Sequence, residues 1–61
     1  MNKIIILNFE NGEVHIFDYD NKKYEDPSDF FIDINETYKD IHLRENNCQY
    51  MIVEDLTIEI H

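Results

Sequence analysis

The chain has 61 residues, 43% of them hydrophobic and 31% charged, and fourteen Asp and Glu outweigh five Lys and Arg to give a net charge of −9. It is too apolar for a disordered acidic tail, and too short for two domains, a dinucleotide-binding unit or a barrel enzyme. So acidic a chain repels nucleic-acid phosphates and anionic membranes, which leaves cationic surfaces, or none, as the expected partners.

Lys3 to Phe9 predicts a first strand, rich in β-branched residues. Asn11-Gly12 is a strong hairpin signal, because both residues tolerate positive φ. Glu13 to Tyr19 predicts the second strand, and the polar stretch Asp20 to Glu25 a loop. Asp26 is a good N-cap and Pro27 suits a first helical position. Phe30, Phe31, Ile34, Tyr38 and Ile41 follow helical spacing, so a helix is expected over 27–41. Glu45-Asn46-Asn47 reads as a turn, and Gln49 to Glu54 as a third strand. Leu56, Ile58 and Ile60 alternate with Thr57 and Glu59. Residues 49–60 therefore form either one long bent strand or a hairpin turning at Glu54-Asp55. The expected fold is a single α+β domain over 1–61. It is a small two-layer sandwich, ββαβ(β), with a mainly antiparallel sheet of three or four strands and one helix on one face.

Alternation makes this sheet apolar on both sides. Ile4 and Ile6 oppose Ile5, Leu7 and Phe9; Val14 and Ile16 oppose His15, Phe17 and Tyr19; Tyr50 and Ile52 oppose Met51 and Val53. One helix covers one face. The other is expected to support self-association, with Phe17, Tyr19, Met51 and Val53 as candidate contacts and a homodimer as the expected assembly. A domain this small, with ten Ile and no Ala, gains core by pairing.

Asp26, Asp29, Asp33, Glu36 and Asp40 recur every three or four residues. On a helix they form one stripe beside the apolar arc, with about 5 Å of rise per carboxylate. Asp18, Asp20, Glu25 and Tyr24 extend it, and Tyr24 is the tyrosine expected to be exposed. The stripe serves either as a solvating face or as a row of anions for an Arg- and Lys-lined channel.

Other chemistry finds less support. An EF-hand loop beginning at Asp18 would place Lys22 and Lys23 where an oxygen ligand and Gly are required, so no metal and no cofactor is expected. Cys48 with His42 lacks an orienting third group, and a packed core thiol is the better reading. The protein is therefore expected not to be an enzyme. No signal peptide or apolar span is recognisable, which makes the cytoplasm the expected location.

In size, charge and Ile/Asn-rich composition the chain resembles the small acidic inhibitors that phages and mobile elements direct against CRISPR effectors, restriction enzymes and other nucleic-acid-binding proteins. That resemblance implies a nucleic-acid mimic acting in the cytoplasm of a bacterial host. The alternative is a structural or regulatory homodimer, such as an antitoxin-like partner, working through its apolar sheet face.

Overall fold

The computed structural model describes residues 2–61. Two strands, β1 (Asn2–Asn8) and β2 (Glu13–Tyr19), precede helix α1 (Pro27–Thr37). A short 3-10 turn (Glu45–Asn47) leads into β3 (Cys48–Val53). The sheet order is β2-β1-β3, and β1 is antiparallel to both neighbours. The expected α+β fold is thus observed, with three strands and one helix.

The hairpin differs in detail from a two-residue Asn-Gly turn. Asn8 pairs with Glu13, which leaves a four-residue loop of Phe9 to Gly12. Gly12 alone takes positive φ, at 74°, and its N–H donates to the Asn8 carbonyl at 2.9 Å. Asn11 instead contributes its side chain, whose oxygen accepts from the Glu13 N–H at 3.1 Å. Asn8, only 3% exposed, accepts in the same way from the Glu10 N–H. The loop therefore uses the Asx chemistry of two asparagines and the left-handed conformation of one glycine. Phe9 lies outside the strand and donates its N–H to the Asn47 carbonyl, joining the loop to the 3-10 turn.

Helix α1 starts as expected. The Asp26 carboxylate accepts from the Ser28 and Asp29 N–H groups at 2.9 and 3.4 Å, with Pro27 in the first turn. Its end is earlier than periodicity predicts: Tyr38, at φ −110° and ψ 102°, has already left the helix. The cause is Asn35. Its amide donates to the carbonyls of Phe31 and Leu43, both at 2.8 Å, and its oxygen accepts from the Leu43 N–H at 2.9 Å. These bonds hold both backbone groups of Leu43, whose side chain is 3% exposed, and the chain must reverse through 38–42 to reach them. Tyr38 still meets the Phe17 ring at 6.0 Å, and Ile41 still packs on the core. Both residues reach the apolar face from a loop instead of a longer helix.

The core lies between the helix and one sheet face. Ile4 and Ile6, both fully buried, occupy the centre of β1. Phe30 turns toward β2, edge-on to Phe17 at 5.7 Å and tilted on Tyr19 at 5.3 Å. Phe31 turns toward β3, edge-on to Tyr50 at 5.8 Å. Ile34, Leu43 and Cys48 complete it. Burial raises the Tyr19 phenol above its usual pKa. This contributes stability that is fully present below about pH 10 and disappears as pH rises through the higher folded value.

Residues 54–61 form no strand. Neither the long bent strand nor the second hairpin exists. Lys3–Val53 is the last pair of the β1–β3 ladder among the described residues. The Leu56-Ile58-Ile60 alternation joins no strand among the described residues; Ile58 is 61% and Ile60 92% exposed.

Candidate functional site

Three of the five stripe carboxylates stand on α1 itself. Asp29, Asp33 and Glu36 are four and three residues apart, one row about 10 Å long. The other two do not continue it as free charges. Asp26 is committed to capping the helix. Asp40 lies beyond the helix end, where it lines a cleft with Glu13, His15 and His42 near the hairpin.

The row borders a cleft between α1 and β2, lined by Asp18, Lys23, Tyr24, Asp33, Thr37 and several core aromatics. Asp33 is its most constrained acid. The Tyr24 hydroxyl donates to one carboxylate oxygen, and the Lys23 ammonium stands 3.6 Å from the same atom. The Tyr24 hydrogen bond, then Lys23, hold the Asp33 carboxyl below the usual carboxylate range. The same bond pushes the Tyr24 phenol above its usual range.

Tyr24 is half-buried and not the exposed tyrosine the polar loop implied. It stacks on Tyr19 at 5.5 Å and meets Phe30 edge-on at 5.2 Å. A lone Tyr in a charged loop gives little sign of this, because the aromatic neighbours are remote in sequence.

The extension residues divide. Asp18 is bound to Lys3, whose hydrogen bond and charge lower its pKa. Asp20 organises its own loop: its carboxylate accepts from the Lys22 N–H at 2.9 Å. Glu25 is exposed. Among the described residues, Asp29 and Glu36 enter no ion pair, so they are the least neutralised charges of the row.

Both Asp18 and Asp33 have lowered pKa values. A depressed carboxylate contributes stability present above its unfolded value of about 3.9 and lost as pH falls through the folded value. Acid unfolding monitored by circular dichroism should therefore steepen below about pH 4. Tyr24→Phe should reduce that acid dependence, while Thr57→Ala, in the exposed tail, should leave it unchanged.

The four proposed sheet contacts also separate. Met51 and Val53 share the open face with Ile5, Leu7, Val14 and Ile16. Phe17 and Tyr19 lie on the helix face, inside or against the core, and are removed from the self-association set. Parity alone could not show which of the two apolar faces the helix would choose.

Cys48 is a core residue, and burial, then the nearby Glu10 charge, push its thiol pKa up. It is held protonated, the opposite of an activated nucleophile. Glu10 instead ties the hairpin loop to the segment before β3. It accepts from the Asn47 amide and lies 3.7 Å from the Arg44 guanidinium.

No helix among the described residues is long and apolar enough to cross a membrane. No family model, curated protein or solved structure matches the chain.

Proposed function

We propose that this protein is a non-catalytic binding protein that engages a basic protein surface through the carboxylate edge of α1. The observation that carries this reading is the alignment of Asp29, Asp33 and Glu36 on one side of an 11-residue helix. Like charges three and four residues apart destabilise a helix slightly; the first-turn position offsets this for Asp29 and the Tyr24 and Lys23 contacts for Asp33, while Glu36 enters no ion pair among the described residues. In its most specific form the row occupies an Arg- and Lys-lined groove that otherwise holds a nucleic-acid strand, which makes the protein an inhibitor of a defence nuclease or another nucleic-acid-binding protein. The target is then of the kind reached by phage-borne inhibitors of CRISPR or restriction systems.

Magnitudes limit the mimicry. A nucleic-acid strand carries a charge about every 3.4 Å, whereas the helix row carries one about every 5 Å. The match is therefore to the sign and direction of a short backbone stretch, not to every phosphate. Binding should be electrostatic in kind: fast and weakened by salt, because exposed charges are screened beyond about 10 Å at 0.1 M.

Proteins captured by this chain from a bacterial lysate at 50 mM salt should be released at 500 mM. A single-stranded oligonucleotide should compete for the captured protein. Capture that survives high salt, or a partner that holds chain and oligonucleotide together, contradicts the groove-occupying reading.

A further inference from the structure

We infer that Asn11, in the β1–β2 loop, is the site of a spontaneous, backbone-assisted deamidation that proceeds in the folded protein. The Gly12 backbone nitrogen, on losing its proton to water, attacks Asn11 Cγ. The new C–N bond closes a succinimide ring, and the Cγ–Nδ2 bond breaks as the amide takes up a proton and leaves as ammonia. Water then opens the ring. Attack at Cγ gives aspartate, and attack at the main-chain carbonyl gives isoaspartate. Water is the only co-reactant.

Sequence and structure together single out this asparagine. Of seven asparagines, only Asn11 precedes a glycine, because Gly12 is the single Gly of the chain. A side chain on the attacking residue crowds ring closure; Gly12 has none, and nothing lies within 4 Å of where its Cβ would stand. The fold protects three of the others. Asn8 is 3% exposed, Asn35 is held by three hydrogen bonds, and the Asn47 amide donates to Glu10. Asn2, Asn21 and Asn46 are followed by Lys, Lys and Asn.

The loop geometry favours the reaction at Asn11. Its side chain makes one hydrogen bond among the described residues, accepted by Oδ1 from the Glu13 N–H at 3.1 Å. That donor faces the oxygen on which negative charge develops when Cγ becomes tetrahedral, the placement that stabilises an oxyanion. The bond engages the oxygen and not the amide nitrogen that must leave. One contact opposes attack: the Gly12 N–H donates to the Asn8 carbonyl at 2.9 Å. All four residues from Phe9 to Gly12 are exposed. Releasing that bond therefore requires the loop to open locally, at far less cost than global unfolding.

Each conversion adds a carboxylate between Glu10 and Glu13. Aspartate keeps an oxygen for the Glu13 N–H and leaves the loop length unchanged. Isoaspartate carries the main chain through Cβ and Cγ, which inserts a methylene into the loop closed by the Asn8–Glu13 pair. The former Oδ1 acceptor then becomes a main-chain carbonyl.

Incubation of the full chain in heavy-oxygen water at neutral pH, followed by peptide mass mapping, tests the inference. Heavy oxygen should enter residue 11 at least about tenfold faster than any other asparagine. Asn11→Gln should abolish that incorporation while preserving the far-UV circular dichroism. Phe30→Leu lowers global stability at a site outside the loop, so the rate at Asn11 should stay within about twofold of wild type. Two results overturn the inference. One is an Asn11 that stays intact in the folded chain while the urea-unfolded chain converts. The other is a rate that rises in Phe30→Leu in step with the lost stability, which would place the reaction in the unfolded state.

Discussion

Phe30→Ala is expected to unfold most of the protein at 37 °C. The Phe30 ring is 3% exposed and packs within 5.2–5.7 Å of Phe17, Tyr19 and Tyr24. Truncating a buried Phe to Ala costs about 3–5 kcal/mol, through lost transfer free energy and the cavity left behind. A domain of this length has a total stability of roughly 3–9 kcal/mol. The substitution therefore removes a large share of the total, or all of it. Phe30→Leu should cost much less, because it retains most of the buried volume. Urea unfolding at 25 °C gives the measurement. A Phe30→Ala midpoint within experimental error of wild type would show that the aromatic cluster does not hold α1 on the sheet.

The second large effect is expected at Asn35. Its side chain satisfies both backbone groups of Leu43, and no other side chain does so among the described residues. Asn35→Leu leaves that N–H and C=O without their partners and destroys the geometry that ends the helix. The expected cost is about 2–4 kcal/mol, from two backbone groups losing partners in a partly buried site. Asn35→Asp retains the acceptor for the Leu43 N–H but loses both donated bonds, so it should be less stable than wild type and more stable than Asn35→Leu. Hydrogen exchange at the Leu43 amide gives a local readout. Its protection should fall by more than tenfold in Asn35→Leu, even under conditions where β1 remains protected. Unchanged protection would mean that another contact fixes the 38–43 segment.

These two positions also show how far the residues alone carry the fold. Strand order of appearance, the helix start at Asp26-Pro27 and the alternation of both hairpin strands follow from short-range chemistry, and they are legible as such. The helix end is not. Tyr38 and Ile41 keep helical spacing, yet they reach the core face from a reversal that depends on one asparagine reaching Leu43, eight residues on, and Tyr38 stays 46% exposed. A mid-helix Asn reads as weakly unfavourable in propensity, and nothing local marks it as a latch. Leu56, Ile58 and Ile60 mislead for the complementary reason: alternation states which side chains would share a face, not whether a neighbouring strand is long enough to pair. Among the described residues the β1–β3 ladder ends at the Lys3–Val53 pair, before they begin.

The candidate surface was legible in part. Spacing placed Asp29, Asp33 and Glu36 on one helix edge, and the structure does the same. It did not distinguish the acid that caps the helix from the acids that remain free, nor did it place Asp40 past the helix end. In sequence Tyr24 reads as solvent-exposed, because its partners Tyr19, Phe30 and Asp33 are joined to it only in three dimensions.

The helix row Asp29, Asp33 and Glu36 lies in the layer opposite the open sheet face, whose strand carboxylate Asp18 is paired with Lys3.

The most direct test of the acidic edge removes the same amount of charge from two places. Asp29→Asn, Asp33→Asn and Glu36→Gln together neutralise the helix row. Glu54→Gln, Asp55→Asn and Glu59→Gln together remove three charges from the segment after β3. Affinity for a basic partner captured at low salt should fall about tenfold or more in the helix variant and change less than threefold in the other. Equal losses in both would reduce the interaction to net charge alone, and an unaffected helix variant would contradict the role assigned to this edge.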